Sequence, residues 1–170
     1  MCLWSRGPGT GKTSAALVLL DHYGPRPVGE HTAEVADLMC GLADFAALPG
    51  IFRGAERGRH QCSTIHGSQT LYPSDLWGFV RKVRLLVLDD LRKPSDREMR
   101  LGDDHYGVLK RILDERVGKP LVVTSNIDPW EPVGGGVPEL VRTFDDRIAD
   151  RIVCGTVFNL DGASRRFTQE

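Results

Sequence analysis

The sequence predicts an α/β fold, a parallel sheet with helices packed on its faces. Two short unbroken apolar runs, VRLLVLDD and PLVVTSN, read as strands covered on both sides. Amphipathic stretches of helical period alternate with them, and a glycine-rich loop, RGPGTGKT, joins an opening strand to a helix. Parallel strands joined this way are wound right-handed, and a ligand then sits where strand ends meet helix starts.

Length and composition fit a single domain over 1–170. The 170 residues are 41% hydrophobic and 26% charged, a globular balance large enough to bury a core without staples. A formal net charge of -1 gives no global attraction to nucleic acid or anionic membrane, so any polyanion contact must be a local patch. Cys2, Cys40, Cys62 and Cys154 stand far apart with no C-x-x-C pair, which suggests neither a disulfide framework nor a zinc ribbon. A reducing cytoplasm is the expected compartment. No apolar segment approaches the roughly 18 residues of a membrane span, so no membrane partner is expected.

Along the chain, Leu3 and Trp4 end a very short strand, Thr13 to His22 reads as a helix, and Gly24-Pro25 stops it. Pro27 to His31 is a weak second strand. Thr32 then caps a helix carrying Val35, Leu38, Met39 and Leu42 that ends near Pro49-Gly50. From Ile51 to Pro73 no period holds, and a long functional or mobile loop is expected. Ser74 caps a helix whose Leu76, Phe79, Val80 and Val83 form one buried face. Val83 to Asp90 is a central strand, Asp104 to Val117 a helix, and PLVVTSN the next strand. A Pro- and Gly-rich connection leads to one helix from about Pro138 to Ile152, and Thr156 to Leu160 closes the sheet.

The glycine loop carries the chemistry. Gly7, Gly9 and Gly11 let backbone N–H groups turn inward toward a diphosphate, and the following helix adds the positive end of its dipole. Lys12 is placed to reach β- and γ-phosphates, and Thr13 offers the hydroxyl that Mg²⁺ needs. The binding set is Gly7, Pro8, Gly9, Thr10, Gly11, Lys12, Thr13 and Ser14. The loop pattern asks for glycine where Arg6 stands, at about 1–2 kcal/mol if positive φ is demanded there. Asp89 fits a magnesium ligand and Asp90 a base that orients water, the alternative being a carboxylate pair capping the next loop. Asn126, at the end of its strand, fits a group that touches the γ-phosphate or positions the water; the alternative is a turn-initiating residue. Arg147 and Arg151 share one helical face and suit a neighbour's γ-phosphate, or else pair locally with Asp146 and Asp150.

GPGTGKT, LLVLDD, ILDERVGKPLVVTSN, DDRIADRI and TVFNLDGASRR, in that order and spacing, resemble the AAA+ ATPase domain of bacterial replicative-helicase loaders of the DnaC type and of the related IstB transposition helpers. The resemblance covers nearly the whole chain. It implies a P-loop NTPase of AAA+ (ASCE) type with a five-stranded parallel sheet ordered 5-1-4-3-2, and ATP with Mg²⁺ as ligands. Gly7 to Thr13 look like Walker A, Asp89 and Asp90 like Walker B, and Asn126 like sensor 1. Arg147 looks like the arginine finger and Arg151 like its auxiliary partner. The implied partners are further copies in a spiral or ring, single-stranded DNA, and a replicative helicase or a transposase. The loaders' N-terminal partner-binding region has no counterpart in this sequence.

The expected activity is therefore ATP hydrolysis in DNA replication. The rivals are a transposition helper, a non-hydrolysing nucleotide-dependent DNA-binding scaffold, and a small-molecule kinase. Arg53, Arg57, Arg59, His60 and His66 offer a DNA-phosphate surface or an ordinary solvated loop. His60, Cys62 and His66 match no standard zinc spacing. Trp4 and Trp77 are expected to pack, and Trp130 is the aromatic available for contact.

Overall fold

The computed structural model describes residues 1–23, 40–44, 61–64, 67–70, 73–93, 104–132 and 136–162. Strand β1 (Cys2–Trp4) runs through the glycine loop into helix α1 (Lys12–Tyr23). Then come β2 (Cys40–Asp44), the hairpin strands β3 (Gln61–Thr64) and β4 (Gly67–Thr70), α2 (Pro73–Lys82) and β5 (Leu85–Leu91). The chain continues through α3 (His105–Glu115), β6 (Leu121–Ser125), α4 (Glu139–Phe144) and α5 (Asp146–Val153) to β7 (Val157–Asn159).

Five strands form one sheet in the order β2-β5-β6-β1-β7, with every neighbouring pair parallel. Numbered within this sheet alone and taken from the β7 edge, the order is 5-1-4-3-2. The apolar runs make its centre because each residue finds a covered face. Leu85 and Val87 of β5 pack with Leu3, Val122 and Ala16 on the α1 side. Leu86 and Leu88 pack on the opposite side with Trp4, Val123 and the inner faces of α2 to α5. Each such fully buried side chain contributes about 1.5–3 kcal/mol. Trp4 and Trp77 lie in this second cluster, Trp77 beneath the Arg111 guanidinium at 3.9 Å, whereas Trp130 is exposed.

Helix α3 is fastened at both ends. Asp104 caps it by accepting the Gly107 N–H at 2.6 Å. At the other end the buried Arg116 guanidinium donates to the carbonyls of Val80 at 3.2 Å, Val83 at 2.7 Å and Arg84 at 3.4 Å, and to Pro120. Burial pulls the Arg116 pKa down, so this cation is held by carbonyl dipoles. It ties the end of α2 and the bases of β5 and β6 to one point.

Three expectations are corrected. The helix predicted from Thr32 to about Pro49 is not what residues 40–44 form: they are β2, pairing residue for residue with β5 from Cys40↔Leu85 to Asp44↔Asp89. Gly41 is a poor helix former, and the open edge of β5 offers backbone partners that outweigh a weak helical period. The weak strand at Pro27 to His31 lies outside the described residues, as do Arg53, Arg57, Arg59, His60 and His66. Within the stretch read as irregular, residues 61–64 and 67–70 pair antiparallel, Gln61↔Thr70 to Thr64↔Gly67. A polar two-stranded ribbon has no apolar alternation to announce it.

The third correction concerns the helix expected from Pro138 to Ile152, which breaks at Asp145 into α4 and α5. Asp145 has φ +94°, and its carboxylate caps α5 by accepting the Ile148 N–H at 2.8 Å. The Tyr106 hydroxyl also donates to that carboxylate. This bond, with the Ile148 amide, holds the Asp145 pKa below the usual carboxylate range and pushes that of Tyr106 above the usual phenol range; Arg147 favours the anion and Asp146 opposes loss of the phenolic proton. A depressed carboxylate stabilises the fold above its unfolded pKa of about 3.9 and loses that contribution as pH falls through the folded value. The raised phenol acts below its unfolded pKa of about 10 and fails as pH rises through its folded value. The difference in Tm between wild type and Tyr106→Phe is thus expected to stay constant from about pH 5 to 9 and shrink below about pH 4. Calorimetric melts across that range check it.

Among the described residues no helix is long and apolar enough to cross a membrane.

Candidate functional site

The carboxyl ends of β1, β5 and β6 open onto one cleft of about 890 Å³. Pro8, Gly9, Thr10, Gly11, Lys12, Thr13 and Ser14 line it from the loop, and Asp89, Asp90, Thr124 and Asn126 from the strand ends. Val18 and Leu160 add apolar wall. Of the eight predicted loop residues only Gly7 stands off the lining, and its carbonyl is part of the site's scaffold.

The loop's shape rests on two glycines. Gly9 has φ +79° and Gly11 φ +96°, a region where a Cβ is strained. A Cβ on Gly11 would meet nothing within 4 Å, so conformation rather than space requires glycine there. Helix α1 begins at once, with the Ala15 N–H donating to the Gly11 carbonyl at 2.8 Å. Lys12 is buried, its ammonium donating to Ser5 Oγ at 2.6 Å, the Gly7 carbonyl at 2.9 Å and Thr10 Oγ1 at 3.4 Å. Ser5 in turn bonds Thr10 Oγ1 at 2.7 Å.

Arg6 is not strained. The non-glycine residues with positive φ among those described are Asp90 and Asp145, so the loop does not demand the left-handed region at position 6. The side chain turns outward and pairs with Glu131 at 2.7 Å and Asp128 at 3.4 Å. Asp128 also accepts the N–H groups of Trp130 at 2.8 Å and Glu131 at 3.0 Å, which shapes the connection after β6.

A bulge presents the two acids. Leu88 pairs with Val123 and Leu91 with Ser125, so β5 spends three residues where β6 spends two, with Asp90 at φ 58°. Strict alternation from Leu88 would put Leu91 on the α1 side of the sheet. Instead Leu91 joins Leu86 and Leu88 in the opposite core, and both Asp89 and Asp90 line the cleft. The Thr13 hydroxyl lies 3.1 Å from each oxygen of Asp89. Thr124 Oγ1 donates to Asp89 at 2.6 Å and accepts the Asp90 N–H at 2.9 Å, locking the bulge. Asn126 Nδ2 reaches Asp90 Oδ1 at 3.4 Å, and Arg92 Nε stands 3.5 Å from Asp90 Oδ2.

Thr13 and Asp89 together are a hard oxygen pair of the kind that holds Mg²⁺ when phosphates supply the other ligands, so the residues fit that ion. Among the described residues no group of three or more His, Cys, Asp or Glu forms a metal cluster.

Arg147 and Arg151 do not line the cleft. Both stand exposed on α5, where Arg151 pairs with Asp114 of α3 rather than with Asp150, and the Arg147 N–H donates to Asp146 Oδ1 at 2.8 Å. Sequence reasoning missed Ser5 as the anchor of Lys12. The available signal was a small hydroxyl at the last position before the loop, where the strand end faces the lysine.

Fold and cleft together define a parallel α/β domain with a glycine-rich loop between its first strand and helix, a fold it shares with solved AAA+ structures. The AMPPCP-bound DnaA from Aquifex aeolicus superposes with TM-score 0.57 at 15% identity over 93% of this chain, and a DNA replication initiation factor with TM-score 0.55 at 16% identity over 93%. The chain spans 39% of the length of each. DnaI covers 96% of the chain at 22% identity with TM-score 0.48, and 72% of DnaI is spanned. No protein-family model and no curated protein matches the sequence.

Proposed function

We propose that the chain binds and hydrolyses ATP as an AAA+ ATPase of helicase-loader type, acting in DNA replication on single-stranded DNA. The observation that carries this reading is the convergence of Lys12, Thr13, Asp89, Asp90 and Asn126 on one cleft. The likeness of the fold to DnaA, whose structure carries AMPPCP, supports a nucleotide ligand.

In this reading the amides of Gly9 to Thr13 bind the diphosphate, and Lys12 neutralises β- and γ-phosphate oxygens. Thr13 and Asp89 would hold Mg²⁺, which shields negative charge on the phosphates when bound. Asp90, steadied by the Asn126 amide, orients a water against the γ-phosphorus and takes its proton as the bond to the leaving ADP oxygen breaks. Arg147 comes from a neighbouring copy in a spiral or ring, and Arg151 supports it from the same helix. A replicative helicase is the protein partner this reading expects, and a transposase the partner under the transposition-helper alternative.

Phosphate release from ATP is measured with and without single-stranded DNA, against a Lys12→Ala control. The expected result is Mg²⁺-dependent turnover that rises with the DNA. Turnover no higher than the control rejects the enzyme and leaves a nucleotide-dependent scaffold. Stimulation by duplex alone points to the transposition-helper reading.

A further inference from the structure

Helix α5 is held from outside at both ends by the same neighbour. Tyr106, in the first turn of α3, donates its hydroxyl to Asp145, the residue that caps α5. Asp114, near the far end of α3, pairs with Arg151 in the last turn of α5. The two anchors stand about 12 Å apart along α3. That helix is itself anchored, with Leu109, Ile112 and Leu113 in the core and Arg116 bonded to four carbonyls.

Such anchoring answers a physical need. At eight residues α5 is too short to persist on its own. It also starts from a non-glycine residue at φ +94°, a strained conformation kept only where its surroundings enforce it. Arg147 sits in that first turn, exposed, and would fray with it. A cation that acts across a subunit boundary must be held to within about 0.5 Å, which a fraying turn cannot do.

We propose that Tyr106 and Asp114 are positioning residues that clamp α5 to α3 and so fix the place where Arg147 meets a neighbouring copy's nucleotide. This rests on the ATPase reading above. Arg151 is on this view the lower bolt of the clamp. Because α3 lies between the acid strand β5 and the Asn126 strand β6, the clamp joins one copy's own site to the arginine it presents outward.

The test compares ATP turnover of wild type, Tyr106→Phe, Asp114→Asn, Arg147→Ala and the Tyr106→Phe/Arg147→Ala double variant under conditions of self-assembly. Each clamp variant is expected to lower kcat about tenfold, with KM for ATP and the calorimetric Kd for the non-hydrolysable AMPPCP unchanged. In the Arg147→Ala background Tyr106→Phe is expected to have no further effect, since a residue acting through Arg147 has nothing left to position. General destabilisation predicts instead that the two losses multiply. Multiplying losses, an unchanged kcat in both single variants, or weakened AMPPCP binding would each overturn the clamp. If Arg147→Ala lowers kcat and the clamp variants do not, the clamp fails while the ATPase reading stands. If wild type itself shows no turnover above Lys12→Ala, both fall.

Discussion

Lys12→Ala is expected to lower ATP turnover about a thousandfold while the protein stays folded. The ammonium is buried among loop oxygens at 2.6 Å from Ser5 Oγ and 2.9 Å from the Gly7 carbonyl, at the mouth of the helix whose amides face the same cleft. In such a water-poor setting one fixed positive charge does far more for a phosphate dianion than it would in bulk solvent. Folding does not need it, because the desolvation of a buried ammonium opposes its own bonds and alanine suits the first turn of α1. Far-ultraviolet circular dichroism and Tm are thus expected to match wild type, with the loss confined to phosphate release and AMPPCP affinity. A Lys12→Ala protein that turns over ATP at the wild-type rate removes the loop from the chemistry.

Arg147→Ala is expected to cost about a thousandfold in turnover, and the loss is expected to be reversible by mixing. Arg147 lies on α5 outside its own chain's cleft, so it serves a different copy or none. Lys12→Ala copies keep an intact arginine and Arg147→Ala copies keep an intact loop. In an equimolar mixture with head-to-tail interfaces, about a quarter of the contacts pair the two intact halves and recover roughly that share of wild-type turnover. Recovery on mixing distinguishes an arginine acting across the boundary from one acting at home, where two dead proteins stay dead. No recovery, or full activity of Arg147→Ala alone, excludes the trans assignment.

The fold was legible wherever burial on both faces leaves a plain record. VRLLVLDD and PLVVTSN became β5 and β6 because a central parallel strand has no exposed side to code with polar residues. The loop was legible because glycines at positive φ and the lysine and threonine that open α1 follow from local chain geometry. What sequence alone could not show depended on distant partners. Residues 40–44 follow the edge of β5 rather than their own helical period. Arg6 looked like damage to a motif until its two carboxylates, Asp128 and Glu131, came into view more than a hundred positions away. Asp145 ends a continuous helical pattern because a tyrosine on another helix bonds its carboxylate. The adjacent pair Asp89-Asp90 was legible as two acids at a strand end, but not how two consecutive side chains could share one cleft.

That sharing makes the number of residues between Leu88 and Leu91 decide how many acids reach the cleft. Removing either acid would restore strict pairing, keep Leu91 opposite Ser125 and in its core, and leave one carboxylate on the cleft where two now stand. Point exchanges at 89 or 90 leave the bulge intact, whereas a one-codon deletion there would remove it, sparing the hydrophobic layer and taking one acid from the cleft.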